Sequence, residues 1–357
     1  MCNMFFNYPV LSVVGVVLLL QCSFALPSAA VGQTVSGGVV LREIVQIPNV
    51  ANAEILAVRH NGEILVTSTK TTSLFQVSPH KAKAPIQVAQ IPNAIGLGGI
   101  AECGTRCPSM SLRHPTLTGN ATAPGANSVW KVDMRQSRTL ARGAVAQPAH
   151  VSLVATILDA QILNGMCRMG LNDTSNLLIA DSAAGTVIKL DVNTAAYEIV
   201  IRDPTMANLP TGFVPPGFTP ISVDGIHIHG SDLYYTSLNQ GLFAKIPISL
   251  TTGVGTGPAE VLVDKIFGDD FVFSKDGKRA WIALNGQNTL AEVDIPGKTA
   301  KIIANSTFLS QDTAVAFGRT VRDRNSLYIS GAGIFGSNST VSASIVRADL
   351  PHGDTGR

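Results

Sequence analysis

One pattern recurs along this chain of 357 residues: a polar residue, a short apolar strand, a tight turn, a second strand and a small polar pair. Residues 221–248 show it most clearly, because Ile226 and Tyr235 lie in two alternating runs on either side of a turn at Gly230. Four further copies begin at polar residues: Glu54, Asn164, Asp269 and Asp312. A repeat of roughly 40–50 residues is typical of propeller blades, so each copy predicts one blade.

A weaker sixth copy lies in residues 96–133, where GLGGIAE and SVWKVD keep the strand pattern. With the five clear copies it predicts an all-β, six-bladed β-propeller that occupies residues 31–357 as a single domain. We expect the early strand at 39–46 to pair with the last blade at 344–350. This pairing would close the ring and remove its exposed edges.

The start of the chain has the pattern of a secretory signal peptide rather than of a blade. Residues 10–20 form an apolar run, and Ser23 and Ala25 supply the small residues of a cleavage site. We expect a signal peptide over residues 1–25, with cleavage as late as 30, and a protein that is secreted or held in the secretory-pathway lumen. No Lys or Arg precedes the apolar run, which leaves an uncleaved anchor as the alternative.

Four Asn-x-Ser/Thr sequons agree with this compartment, and all lie in turn-like stretches rich in Gly, Ser or Asp. They are predicted glycosylation sites: Asn120, Asn172, Asn305 and Asn338.

Three cysteines follow the expected signal peptide, so one has no partner within a monomer. Cys103 and Cys107 share one loop, where an oxidising compartment would allow a disulfide. Cys167 lies on a predicted strand and is interpreted as an apolar core residue. A catalytic thiol at Cys167 is the alternative, with Arg168 as the only adjacent basic residue.

The composition narrows the choice of partners. The chain is 45% apolar and 14% charged, with a formal net charge of +2. It can therefore bury a large core, and it has no basic footprint for nucleic acid. We expect a monomer that binds a small hydrophobic substrate, without a nucleic-acid partner and without membrane contact once the signal is removed.

Two insertions interrupt the repeat, at 103–127 and at 203–220. Long loops on a propeller face usually shape the mouth of the central channel. The second loop is unusually apolar, with Phe213 and Phe218 as its aromatic residues. We interpret it as a substrate lid, and surface decoration is the alternative for either loop.

The polar residues that open the innermost strands are the candidates for chemistry. Glu54, Asn164, Asp224 and Asp269 are far apart in the sequence, but innermost strands line the channel and would bring them together. Carboxylate and amide oxygens suit a hard divalent cation such as Ca²⁺, Mg²⁺ or Mn²⁺. The alternative is that each is a turn residue that caps its own strand.

Other polar residues have simpler interpretations. His227 and His229 alternate along one strand and therefore share a face. We interpret them as polar outer surface, with a channel-facing acid–base pair as the alternative. Arg319, in the segment FGRT, is expected to brace a blade edge. The sequence has neither a Gly-x-Ser-x-Gly elbow nor a phosphate-binding glycine loop.

Six segments carry a resemblance: EILAVRHNG from Glu54, LNGM from Leu163, LLIADSAAGTVIKLDV from Leu177, DGIHIHGSDLYYTS from Asp224, FGDDFVF from Phe267 and VAFGRT from Val315. The chain resembles the fungal secreted branch of the senescence marker protein/gluconolactonase/luciferin-regenerating-enzyme-like propellers over nearly its whole length after the signal. The resemblance implies a metal cradle at Glu54, Asn164, Asp224 and Asp269. It also implies catalytic roles for Asp224, Glu54 and Asp269.

The cradle departs from the pattern of those propellers at two positions. They usually have Asn where this chain has Asp224, and Glu-Asn where it has Glu54-Ile55. An additional carboxylate either strengthens cation binding or marks a site that works without a metal.

Three functions fit the resemblance. The favoured one is a hetero-Diels–Alderase of fungal secondary metabolism. It would join a quinone methide of tropolone or polyketide type to a terpene alkene, without a cofactor, in an apolar pocket at Asn164, Phe213 and Phe218. The first alternative is a gluconolactonase-like lactonase with one divalent, calcium-like cation, in which Glu54 or Asp269 acts as the base. The second is a non-catalytic propeller that binds small molecules.

Overall fold

The computed structural model describes residues 32–81, 83–92, 94–102, 109–113, 127–139, 144–170, 172–214, 220–332 and 342–351. Over these ranges the chain forms strands and turns, with three short 3₁₀ helices (Ser36–Gly38, Pro204–Met206 and Thr307–Leu309) and no α-helix. Several predictions fall outside them, namely the signal peptide, Cys103, Cys107, Asn120, Phe218 and Asn338.

The strands form antiparallel sheets in chain order. The chain begins with β1 (Gln33–Thr34) and β2 (Val40–Ile47). Blade one contains β3 (Leu56–Val58), β4 (Ile64–Val66), β5 (Ser73–Val77) and β6 (Ile86–Gln90). Blade two contains β7 (Leu97–Glu102), β8 (Ser109–Arg113), β9 (Asn127–Asp133) and, after a ribbon of β10 (Arg138–Thr139) and β11 (Val145–Gln147), β12 (His150–Ile157).

Three more sheets follow the same order. Blade three contains β13 (Leu163–Arg168), β14 (Asn176–Asp181), β15 (Thr186–Asp191) and β16 (Tyr197–Arg202). Blade four contains β17 (Val223–His229), β18 (Asp232–Ser237), β19 (Leu242–Pro247) and β20 (Glu260–Asp264). Blade five contains β21 (Phe271–Phe273), β22 (Arg279–Leu284), β23 (Thr289–Asp294) and β24 (Thr299–Asn305). The closing sheet contains β25 (Asp312–Phe317), β26 (Ser326–Gly331) and β27 (Ala343–Asp349), followed in space by β2 and β1.

The prediction of six blades is wrong. The described residues form five four-stranded blades, and the remaining sheet has five strands that come from both ends of the chain. In it β2 runs antiparallel to β27, from Val40 opposite Asp349 to Ile47 opposite Ala343. The predicted pairing of the early strand with the last blade is confirmed, and it makes this sheet five-stranded rather than an ordinary four-stranded blade.

The first strand of each sheet lies innermost. Strands β3, β7, β13, β17, β21 and β25 contact one another in that order, and β25 returns to contact β3. The ring is therefore closed, and the residues that precede these six strands lie on the same face of the propeller. We call this the entry face.

Buried hydroxyls at the ends of the second strands of blades one, three and four tie these blades to the next one. Thr67 donates to the carbonyl of Gly98 at 2.7 Å, and Ser182 donates to that of Val223 at 2.6 Å. Thr236 donates to the carbonyl of Asp269. These residues belong to the small polar pair of the repeat, which thus satisfies innermost-strand carbonyls that face the neighbouring blade.

The core lies between neighbouring sheets, because alternate residues of a strand face opposite neighbours. Blades three and four share a buried cluster that includes Leu178, Ile226 and Tyr235. Trp281 of blade five meets Phe317 of the closing sheet edge to face, with ring centroids 5.1 Å apart. Within the described ranges, no helix is long and apolar enough to cross a membrane.

Candidate functional site

The four predicted site residues lie on the entry face around the channel axis. Asn164 and Asp224 are the second residues of β13 and β17, while Glu54 and Asp269 stand two residues before β3 and β21. The predicted meeting of Asn164 and Asp224 is direct, since the Asn164 side-chain amide donates a hydrogen bond to Asp224 Oδ1. We use the name carboxyl cluster for Glu54, Asp224, Asp269 and the adjacent Asp270.

Two glycines let the innermost strands approach this closely. A Cβ at Gly165 would lie 2.1 Å from the backbone oxygen of Asp224, and one at Gly225 would lie 2.5 Å from Asp270 Oδ1. Neither position has room for a side chain. The Asn-Gly and Asp-Gly pairs thus place a polar side chain in the ring and the next strand directly beside it.

Asp269 is 4% exposed, and its two carboxyl oxygens differ in their partners. Oδ2 accepts a 2.7 Å hydrogen bond from Asn285 Nδ2. Oδ1 is buried and has no hydrogen-bond partner, and the same holds for Asn164 Oδ1. Two buried acceptors are thus left for a proton or a ligand. Sequence reasoning missed Asn285, although it directly follows the second strand of blade five, where the small polar pair stands in other blades.

Glu54 is the half-buried member of the carboxyl cluster. Asn52 Nδ2 donates to Glu54 Oε2 at 3.2 Å and to Thr69 Oγ1 at 2.8 Å. Ser68 in turn donates to Asn52 Oδ1 at 2.9 Å, which fixes the amide orientation. Glu54 is therefore held in place and remains within reach of the channel mouth.

Burial and mutual repulsion raise the pKa values of three acids of the cluster. Burial raises the pKa of Glu54 to about 7, with the exposed Lys70 opposing this and Asp270 adding to it. Burial also raises the pKa of Asp224 well above its usual range, helped by the charges of Glu54 and Asp270. The pKa of Asp269 rises for the same reasons, with Asp224 the strongest charged neighbour. Close carboxyls that cannot all ionise are hydrogen-bond donors near neutral pH.

Asp270 and His227 extend the cluster along the channel. His227 Nε2 lies 2.8 Å from Asp270 Oδ1, and its ring meets Phe271 edge to face with centroids 4.8 Å apart. The ring of His229 lies 5.5 Å from that of Phe273. The interpretation of the two histidines as outer surface is wrong, because both pack against the innermost strand of blade five. Sequence reasoning also missed Asp270.

The donor chemistry of the cluster suits a hard cation, but the positions of its acids do not. In the ranges that the structure describes, no three His, Cys, Asp or Glu side chains are close enough to share one metal ion. The unpartnered oxygens of Asn164 and Asp269 are oxygen donors of the kind that Ca²⁺ prefers. A cation would thus need the carboxylates to move together and to lose their protons.

The described part of the apolar loop lies on the entry face, just before the strand that carries Asp224. Phe213 is 46% exposed, and its ring centroid lies 5.2 Å from that of Phe267. Asn239 holds the loop through hydrogen bonds to the backbone of Leu209 and Phe213. Up to residue 214 these hydrogen bonds hold the loop backbone against Asn239, and its interpretation as a substrate lid stays a prediction.

Two other predictions can be checked directly. Cys167 is buried and not in a disulfide, and burial raises its pKa to about 12. Its interpretation as a core residue is confirmed. Arg319 donates to the carbonyl of Val58 at 3.0 Å and to Glu102. It braces the ends of three innermost strands, as expected.

Several surface grooves lie apart from this site. One of about 520 Å³ on blade five is lined by residues that include Arg279, Glu292 and Lys301. Another of about 220 Å³ lies at His80, between blade one and the closing sheet. Neither includes a residue of the carboxyl cluster, and their exposed charged linings give no chemical reason to prefer them.

The fold and this ring of polar residues define a closed β-propeller with a candidate site at one mouth of its channel. The chain is 24% identical, over 319 aligned positions covering 80% of this chain and 85% of the relative, to a protein named "Putative hetero-Diels-Alderase" from Phoma sp. No protein-family model matches the chain.

Solved structures share the fold. Luciferin-regenerating enzyme superposes with a TM-score of 0.60 at 13% identity, over 88% of this chain and 96% of that one. The calcium-binding protein regucalcin from Agrobacterium tumefaciens superposes with a TM-score of 0.53 at 16% identity, over 86% and 95%. These likenesses support the predicted kind of propeller, while the fungal branch rests on the sequence resemblance alone.

Proposed function

We propose that this propeller is a small-molecule enzyme of the hetero-Diels–Alderase type, from the fungal secreted branch of its fold relatives. It would join a quinone methide to a terpene alkene at the entry face. The observation that carries the proposal is the carboxyl cluster, where burial and repulsion raise three pKa values beside an exposed aromatic side chain. Neutral carboxylic acids donate hydrogen bonds to a carbonyl oxygen, which is the electrostatic help that this reaction needs.

The chemistry needs no proton transfer. The heterodiene (C=C–C=O) and the alkene form one C–O and one C–C bond, three π bonds become one, and no group leaves. A hydrogen bond to the heterodiene oxygen stabilises the negative charge that develops there in the transition state. Glu54 is placed to donate it, because it is the half-buried acid of the cluster and its pKa is raised to about 7.

The larger contribution to the rate would come from positioning the two reactants. Two reactants held roughly 3–3.5 Å apart in a reactive orientation avoid most of the entropy cost of a bimolecular step. The aromatic pair Phe213 and Phe267 offers an apolar surface next to the acids. The relative from Phoma sp supports the same reaction, since its similarity covers 80% of this chain.

The second candidate is a lactonase that depends on a divalent cation. The unpartnered buried oxygens of Asn164 and Asp269 favour it, and regucalcin shares the fold. Glu54 and Asp224 would be the further ligands. In the described part of the chain, however, the acids do not converge on one point where a cation could bind.

One experiment distinguishes the cycloaddition from the lactonase reaction. Purified protein is given a quinone methide with a terpene alkene, and separately simple lactones, with and without a chelator. We expect the cycloadduct to form faster and with higher stereochemical purity than without protein, and chelation to leave its rate unchanged. Lactone turnover that chelation abolishes, with no acceleration of the cycloadduct, would replace this proposal with the lactonase.

We further propose that the protein is a secreted monomeric glycoprotein. The Asn172 and Asn305 side chains are exposed, as glycan attachment requires. Enzymatic deglycosylation of protein from a fungal secretion host should lower its mass, and N-terminal sequencing should begin near Leu26 or Val31. A protein without glycans that retains Met1 would contradict this compartment.

A further inference from the structure

We propose that Asn239 is a positioning residue, which holds Phe213 against Phe267 as a preformed binding wall for the hydrocarbon part of the substrate. The inference rests on the proposed function for the identity of that substrate. It concerns a residue that neither the repeat nor the resemblance indicated.

Asn239 uses its whole side-chain amide for this task. It is 1% exposed, its Oδ1 accepts a 2.7 Å hydrogen bond from the backbone N–H of Leu209, and its Nδ2 donates at 3.1 Å to the carbonyl of Phe213. The backbone N–H of Phe213 donates to the Asn239 carbonyl at 2.8 Å. Three hydrogen bonds to one buried residue thus fix the backbone that carries the Phe213 ring.

Gly212 supports the same contact from the other side. A Cβ at this position would lie 2.1 Å from Asn239 Oδ1 and 2.4 Å from its Nδ2. The loop can close on the amide only because residue 212 has no side chain. Gly212 therefore offers a second way to disturb the contact without changing Asn239.

The wall is anchored at its base and open on its outer side. Phe267 packs with a small apolar cluster of Ile162, Ile221 and Leu238. Phe213, in contrast, is 46% exposed, and the neighbouring Leu209 and Val214 are 43% and 37% exposed. A rigidly held loop that presents three large apolar side chains to solvent is typical of a binding surface.

Short segments connect this wall to the acids. Ile221, which accepts a 2.8 Å hydrogen bond from the Asn239 N–H, is three residues before Asp224. Phe267 is two residues before Asp269. The wall and two acids of the carboxyl cluster, Asp224 and Asp269, therefore lie on neighbouring segments of blades four and five. An apolar ligand on the wall would have its reacting end near the carboxyl donors.

The test measures binding, so that it does not depend on the reaction. The probe is N-phenyl-1-naphthylamine, a neutral apolar fluorophore, titrated against the full chain. Phe213→Ala should weaken binding roughly five- to tenfold through lost apolar contact. Asn239→Asp should weaken it by a similar factor, because the new oxygen faces the Phe213 carbonyl. Gly212→Ala should do the same by displacing the amide. Phe213→Leu should restore most of the affinity.

Asn208→Ala is the matched control. The Asn208 side-chain amide donates to the carbonyls of Ser182 and Ala183 in blade three, at 3.2 and 3.0 Å, and so holds the same loop through different hydrogen bonds. It should leave the dissociation constant unchanged. If Asn208→Ala weakens the probe as much as Asn239→Asp does, Asn239 only stabilises the loop and the inference is wrong.

The possible outcomes test the binding wall and the proposed reaction independently of each other. A wild-type protein that does not bind the probe, or that binds it no better than Phe213→Ala does, overturns the wall and leaves cycloaddition to its own product assay. Binding that depends on Phe213 and Asn239, in a protein that forms no cycloadduct, supports the wall and overturns the reaction.

Discussion

The side-chain amide of Asn164 donates a hydrogen bond to the carboxyl of Asp224 across the boundary between blades three and four. The donor's own oxygen is buried without a partner, and the acceptor has a pKa raised well above its usual range by burial and by the charges of Glu54 and Asp270. The pair therefore joins two blades through a buried acid whose charged form is disfavoured by folding. Replacements of Asp224 should show this directly.

We expect Asp224→Asn to be tolerated and Asp224→Ala to be harmful. Asn keeps the oxygen that accepts from Asn164 and cannot ionise, so stability at pH 4 should change by less than about 1 kcal/mol. Ala removes the acceptor and leaves a small cavity, at a cost of about 2–4 kcal/mol. Urea unfolding of the three proteins measures both effects. Equal losses in the two variants would mean that the charge of Asp224, and not its shape, supports the fold.

The activity of Asp224→Asn is a related expectation. A cycloaddition that depends on pocket shape should keep substantial turnover in this variant and lose rate and stereochemical control in Phe213→Ala. A metal-dependent lactonase should show the opposite order, because the loss of a ligand removes its Lewis acid. The rate and the product ratio of both variants distinguish these two outcomes.

Glu54 should make the protein less stable as the pH rises. Its pKa is raised from 4.5 to about 7 in the folded state by burial, so between these values the folded chain keeps a proton that the unfolded chain has released. The unfolding free energy should therefore fall across this window, by on the order of 2 kcal/mol after allowance for partial exposure.

Glu54→Gln should flatten that part of the curve, as measured by urea midpoints at pH 5 and pH 8. Glu198→Gln is the control, because Glu198 is an exposed acid on the outer strand of blade three and should leave the pH dependence unchanged. Parallel curves for wild type and Glu54→Gln would show that the proton is held elsewhere in the cluster.

The repeat could predict that Glu54, Asn164, Asp224 and Asp269 lie at the start of innermost strands on one face, because it places each at the same point of its blade. When the ring closes, residues at the same position of successive repeats come to lie around the same end of the channel. Asp270 could not be assigned this way, since consecutive residues of a strand normally face opposite sides. The innermost strand begins only at Phe271, so both acids lie in the segment that leads into it.

The prediction of the number of blades was wrong for a different reason. The pairing of β2 with β27 was expected and is confirmed, but the pattern after Asp312 does not by itself show that strands from both ends of the chain make a five-stranded sheet there. The same limit hid Asn239, whose role depends on a loop that begins more than one strand earlier in the chain. Both required contacts between distant segments, which alternation along one segment does not report.

Thr236→Val should destabilise the fold although it keeps the shape of the side chain. Thr236 is fully buried, accepts a 3.0 Å hydrogen bond from the Gly225 N–H and donates to the carbonyl of Asp269. Loss of the Thr236 hydroxyl leaves the Gly225 N–H and the Asp269 carbonyl with fewer hydrogen bonds, which should lower the free energy of unfolding by about 1–3 kcal/mol. Thr299→Val, on an exposed edge position, should stay within about 0.5 kcal/mol in the same unfolding measurement. Similar values for the two would mean that hydroxyl contacts between blades contribute little.

Any affinity for a divalent cation should rise with pH, because the ligands must first lose protons. The pKa of Glu54 is raised to about 7, and burial also raises the pKa values of Asp224 and Asp269 well above their usual range. Ca²⁺ should therefore bind weakly at pH 6 and more tightly at pH 8, with about one ion per chain at saturation.

Glu54→Gln combined with Asp269→Asn should abolish binding, whereas Glu198→Gln should not. Calorimetric titration at the two pH values, with proton release followed in buffers of different ionisation enthalpy, measures this coupling. Tight binding that is independent of pH would mean that the acids are already ionised, and the neutral donors on which the cycloaddition depends would not exist.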